Sequence, residues 1–182
     1  MTITRQSTLP DVIRAVSVAL QRAGIRAVLT GGACASVHSR GDYLSHDLDF
    51  ILQSTTTQAK LAGALATVGF HRDGESYVHP STDVFVEFPR GPLAIGDDDL
   101  VEPVMVTVGR AKVLALSATD SCRDRLAAFY VWKDRQSLAV AVAIARRSRV
   151  NLSRVREWSE REGQQEGFAE FRRALKAKPR QS

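Results

Sequence analysis

The stretch GGACASVHSRGDYLSHDLDFIL, Gly31 to Leu52, decides how this chain is read. Two glycines end the apolar run Ala27 to Thr30, and fifteen residues after Gly32 comes Asp47, then Asp49, inside a second apolar run, DLDFIL. In an extended strand the side chains alternate, so Asp47 and Asp49 project to one side while Leu48 and Phe50 take the other. Their Cα atoms then sit roughly 6.5 Å apart, close enough for both carboxylates to grip one cation or bridge two. Two bare carboxylates on one strand repel each other and cost desolvation unless a cation neutralises them. Oxygen-only ligands favour magnesium or manganese over zinc.

A third carboxylate stands in DVFVEF, Asp83 to Phe88, the most strand-like run of the chain. If this strand neighbours DLDFIL, Glu87 completes a three-carboxylate metal cluster, with Asp83 as the fallback on the same face at the strand's entry. The glycines then gain a role. Gly31 and Gly32 are read as the link from a strand to a short helix, Ala33 to Ser39. There the backbone can approach a ligand closely and the helix N-terminus favours phosphate. Ser45 and His46 precede the acidic strand, either as loop surface or as part of the site's rim, and are not counted among the catalytic residues.

Outward from these motifs, the first part of the chain alternates helix and strand signals. Ile13, Val16, Leu20 and Ala23 mark an amphipathic helix over Pro10 to Arg22, and Thr57 to Val68 reads as another. FHR and YVH flank Asp73-Gly74 as a hairpin, and two more strands are expected around Val104 to Val108 and Lys112 to Leu116. From Thr119 onward only helix signals remain, capped by Asp134 and Asn151, and the tail KAKPRQS is expected to fray. The expected fold class is α+β: a mixed sheet flanked by helices over residues 1–117, with a helical extension over 118–182 packed on it. Trp132 and Trp158 sit at helical apolar positions and read as core or interface packing. The run Asp97-Asp98-Asp99 lacks the alternating ligands of a calcium loop and reads as a solvated turn.

Length and composition agree with a folded domain: 182 residues, 44% hydrophobic and 25% charged. No apolar run reaches the roughly 20 residues that span a bilayer. The opening MTITRQSTLPDVIRAV lacks the pattern of a secretory signal, so a cytoplasmic location without a membrane partner is expected. Cys34 and Cys122, the only cysteines, form no ligand motif and read as buried thiols. Residues 1–117 hold 10 Lys/Arg against 12 Asp/Glu, whereas residues 118–182 hold 15 against 8, net charges of −2 and +7. Such asymmetry suits a polyanionic ligand or a solvated basic surface.

Gly-Gly, a short helix, a strand carrying D-x-D and a single acid in a later strand together resemble the active-site pattern of the nucleotidyltransferase superfamily that includes DNA polymerase beta. Within it, GGACASVHSRGDYLSHDLDFIL looks most like the minimal, MNT-like branch with bacterial toxin and abortive-infection nucleotidyltransferases. VEFPRGPLAIG around Glu87, and LSATDSCRDRL with Arg125 where relatives often carry lysine, fit the same branch. The resemblance covers roughly Ala27 to Leu126. It implies two Mg2+ or Mn2+ ions held by Asp47, Asp49 and Glu87, with Gly31, Gly32 and Arg125 on the phosphates of a nucleoside triphosphate such as ATP. It further implies transfer of a nucleoside monophosphate to an RNA (tRNA), protein or small-molecule hydroxyl, and leaves room for an antitoxin partner. Two other readings stand beside it. One is a catalytically inactive nucleotidyltransferase-fold binding module. The other is a helical DNA-binding regulator, for which LAVAVAIARRSRVNLSRVREWSE has the outline of two helices around a short turn.

Overall fold

The computed structural model describes residues 2–177. Met1 and residues 178–182, most of the tail expected to fray, lie outside the described residues. The elements run α1 (Leu9–Arg22), β1 (Ala27–Leu29), α2 (Gly31–His38), β2 (Asp47–Leu52), α3 (Gln58–Ala66), β3 (His71–Asp73), β4 (Ser76–His79), β5 (Thr82–Glu87), β6 (Val104–Val108) and β7 (Ala111–Ala115). Four helices follow: α4 (Ala118–Trp132), α5 (Arg135–Arg147), α6 (Leu152–Arg161) and α7 (Gln165–Lys176). The strands form one mixed sheet in the order β3-β4-β5-β2-β1-β7-β6. β2 runs parallel to β5 and β1 parallel to β7; the other neighbours are antiparallel. The architecture is therefore α+β, a mixed sheet flanked by helices with a C-terminal helical extension formed by α6 and α7.

The period-2 pattern of DLDFIL sets which side of the sheet is core. Leu48 and Phe50 are buried, and Val86 on β5 stands opposite Leu48. Tyr77 on β4 stands opposite Val86 and its hydroxyl donates to Gln58 at the start of α3, 3.2 Å away. The apolar face of β2 thus packs beneath α3, and Phe50 shares a cavity wall with Leu20 of α1. Asp47 and Asp49 are left on the opposite side, where α2 packs on β2.

Two expectations are corrected here. Gly31 and Gly32 do not link a strand to a helix beginning at Ala33; they are the first two residues of α2, and Gly31 opens it at φ +59°, which favours glycine. Asp98 does not sit in a merely solvated turn: it pairs with Arg123 of α4. Arg123 is fully buried, also donates to Asp120 at 2.8 Å, and lies with its guanidinium 5.0 Å from the centre of the Trp158 ring. Arg154 adds a second contact to Asp120 at 3.3 Å. This cluster ties the loop after β5 to α4 and α6 and so fixes α4, which Ser117 caps by accepting from the Asp120 amide at 3.0 Å.

Asp120 is almost wholly buried, so losing its principal cation leaves it with the half-exposed Arg154, at 3.3 Å, as its remaining ion pair among the described residues and takes from Asp98 its closest cation. Arg123→Ala is expected to destabilise the protein by about 3–5 kcal/mol. Arg156→Ala, which breaks a surface pair with Glu160, should cost under about 1 kcal/mol. Urea unfolding of both variants checks this; comparable losses would contradict the role given to Arg123.

Candidate functional site

β2 and β5 bring the three predicted acids to one side of the sheet. In the parallel ladder Asp49 stands opposite Glu87 and Asp47 opposite Phe85, and side chains at paired positions project together at the strand spacing of roughly 4.8 Å. Each outer acid has its own hydroxyl. Ser45 donates to Asp47, and Ser76 on β4 donates to Glu87 at 2.7 Å. Asp83, the fallback, lies exposed at the start of β5, beside Arg5 and His46.

Asp49 is the most constrained of the three. Its backbone carbonyl accepts from the Thr30 amide at 2.9 Å, which fastens β2 to the residue that precedes α2. A Cβ on Gly31 would collide with the Asp49 carboxylate, and one on Gly32 would collide with Ser45. The first turn of α2 therefore lies against the acids because neither residue has a side chain. Burial, then the negative charges of Asp47 and Glu87, push the Asp49 carboxyl up to about 6, with Arg125 opposing them. A half-buried acid with two acidic neighbours is the electrostatic counterpart of a cation site, and the oxygen-only donors suit a hard divalent ion. As folded, however, no three His, Cys, Asp or Glu side chains among the described residues close into a group that could hold a metal ion. The expected three-ligand cluster is thus present as a shared face rather than as a converged cage, with its outer members turned to Ser45 and Ser76.

Arg125 reaches the same region from α4. Burial disfavours its charged form, but Asp124, Tyr43 and Asp49 outweigh this and raise its proton affinity. Its Nη2 donates to Asp124 at 2.6 Å. Asp124 and Ser76 are site neighbours that sequence reading does not single out, whereas Ser45, weighed there as loop surface or site rim, is bonded to Asp47. Only Ser45, two residues before Asp47, carried a local signal. Among the cavities, one of about 630 Å³ is lined by Leu20, Ile25, Phe50, Met105 and Leu114 on the apolar side of β2 and contains none of the acids.

Solved structures share this arrangement of elements. A crystal structure of an antigenic nucleotidyltransferase-like protein from Paracoccidioides brasiliensis matches with a TM-score of 0.57 and 17% identity over 75% of this chain and 74% of that one. The crystal structure of ANT(2")-Ia in complex with adenylyl-2"-tobramycin matches with a TM-score of 0.54 and 11% identity, covering 92% of this chain and 99% of that chain. The fold is nucleotidyltransferase-like. The solution structure of the antibiotic-resistance factor ANT(2'')-Ia agrees, with a TM-score of 0.52 and 12% identity over 91% and 94% of the two chains. At these identities the likeness is one of fold. No family model and no curated protein matches the chain. Among the described residues no helix is long and apolar enough to cross a membrane.

The nucleotidyltransferase-like fold carries a stability cost at Asp49. Because its folded proton affinity lies above the ordinary value near 4, the contribution of Asp49 to stability is most favourable below about pH 4, declines as pH rises towards about 6, and stays lowered above it. The rise from the ordinary value near 4 to about 6 corresponds to about 3 kcal/mol, reduced to about 1–2 kcal/mol because the carboxylate is partly solvated. Asp49→Asn should therefore raise the melting temperature at pH 7.5 and change it little at pH 4. An equal effect at both pH values would contradict the repulsion among the acids.

Proposed function

We propose that this chain is a nucleotide-binding protein on a nucleotidyltransferase-like fold, taking a nucleoside triphosphate together with Mg2+ or Mn2+ at the face of Asp47, Asp49 and Glu87. The observation that carries the reading is the placement of Asp49, pressed against the side-chain-free start of α2 and raised in proton affinity by burial and then by its two acidic neighbours. Asp47, Asp49 and Glu87 would hold the ions, which when bound would neutralise the acids and offset the phosphate charge. The amides of Gly31 and Gly32 lie in the first turn of α2, where backbone donors are left without intrahelical partners, and would donate to phosphate oxygens. Arg125 would add a cation on the other flank, exchanging part of its contact with Asp124 for phosphate.

Transfer of the nucleotidyl group to a hydroxyl, with release of pyrophosphate, is the second reading. What favours it is the register that sets Glu87 directly beside Asp49, and the likeness over most of the chain to ANT(2")-Ia, solved with an adenylylated compound. What favours binding without transfer is the unconverged state of the three acids. A helical DNA-binding role draws less support, because the arginines of α6 are engaged within the protein: Arg154 with Asp120, Arg156 with Glu160 and Arg161 with Asp98.

Saturating Mg–ATP or Mn–ATP, at about a hundredfold over Kd, should stabilise the protein by about 2.7 kcal/mol, read as a rise of roughly 5–10 °C in melting temperature. The rise should vanish in Asp47→Asn and in Glu87→Gln. An unresponsive wild type, or a full response in both variants, would overturn the binding proposal. Label passing from an α-phosphate to RNA, protein or small acceptors would decide for transfer.

A further inference from the structure

The sequence holds two tryptophans, and they occupy opposite environments. Trp158 is 1% exposed and belongs to the core, whereas Trp132 is 79% exposed and does not. The position of Trp132 on α4 gives that exposure a direction. Ser121, Arg125, Ala128 and Trp132 follow one another at helical spacings of four, three and four, so they form a single stripe along α4. The stripe begins at the fully buried Ser121, passes Arg125 in the electrostatic field of Asp49 and Tyr43, crosses the small side chain of Ala128 and emerges at Trp132. Seven residues of helix put Trp132 about 10 Å beyond Arg125, a separation that an extended nucleoside triphosphate spans between its phosphates and its base.

The corner that carries Trp132 is braced. Lys133 ends α4 in the left-handed conformation at φ +53°, and Asp134 opens α5 by accepting from the Gln136 amide at 2.9 Å. Lys133 and Arg135 both lie over the ring of Phe129, and Arg135 pairs with Glu170 of α7. An exposed aromatic carried on a braced helix end, about 10 Å along the helix from an arginine that faces the acids, offers a flat face on which a base can stack. A protein partner fits the surroundings less well. Along the chain Trp132 is flanked by the exposed Val131 and then by the polar run Lys133, Asp134, Arg135 and Gln136, whereas the centre of a stable protein interface is depleted of charged residues.

We propose that Trp132 is the base-stacking residue of the nucleotide site, receiving the nucleobase of the triphosphate whose phosphates lie between Arg125 and the start of α2. This rests on the nucleotide-binding reading above. The test compares Mg–ATP with Mg–tripolyphosphate, which has the phosphates and no base, on the wild type, Trp132→Ala and Trp132→Phe. Mg–ATP should shield wild-type indole fluorescence from acrylamide, and Mg–tripolyphosphate should bind without shielding. Trp132→Ala should weaken Mg–ATP about tenfold and leave Mg–tripolyphosphate unchanged, while Trp132→Phe retains most of the affinity. Equal affinity of the wild type and Trp132→Ala for Mg–ATP, or an equal loss for both ligands, would overturn the proposal and leave nucleotide binding standing. A wild-type dimer dissociated by Trp132→Ala would overturn it in favour of a second copy of this chain. Failure of the wild type to bind either ligand would remove the nucleotide reading and this inference with it.

Discussion

The contact between Asp49 and Gly31 is the constraint on which the site depends. A carboxylate on a sheet strand lies against the first residue of a helix, and the space exists only because that residue has no Cβ and tolerates a positive φ. The Thr30 amide, bonded to the Asp49 carbonyl, holds the two backbones in this relation. Everything chemically interesting follows from it. Helix-terminal amides, which suit anions, and a cluster of acids, which suits cations, are brought within reach of one another. A metal–polyphosphate complex carries both kinds of charge and is the ligand that satisfies both at once.

The acids and the arginine that faces them are supported from different parts of the core. The carboxylates ride on β2 and β5, whose buried Leu48 and Val86 anchor the opposite face of the sheet. Arg125 rides on α4, and α4 is held by the buried Arg123 with Asp98, Asp120 and the Trp158 ring. Two adjacent cations on one helix thus do unlike work: Arg123 faces inward and ties helices and loop together, while Arg125 faces the acids. The stability lost at Asp49 is of the kind tolerated where binding needs unneutralised charge, and the buried ion-pair cluster lies away from that site, on the inward face of α4.

Much of the fold and the acidic face was legible in the sequence because its signals are local. DLDFIL alternates with period two, and β2 begins and ends where the pattern says. Ser117, Asp134 and Asn151 each cap the helix their residue type announces. The rest depended on partners far along the chain. Asp98 looks like a turn residue until Arg123, twenty-five positions later, is placed beside it. Ser76 gives no sign of its own that it will meet Glu87 across β4 and β5. Gly31 and Gly32 read in sequence as the link between strand and helix, yet they lie within α2, where the close approach of Asp49 and Ser45 makes glycine the residue that fits. Trp132 fits an apolar helical pattern, but it is the last residue of α4 and stays exposed among the described residues.

The most direct measurement is an anomalous difference map from crystals grown with manganese and a non-hydrolysable ATP analogue. The expected result is a manganese peak in contact with Asp47 and Asp49, with the phosphates against the first turn of α2. Manganese or nucleotide bound only elsewhere on the molecule, with Asp49 and Gly31 left untouched, would contradict it.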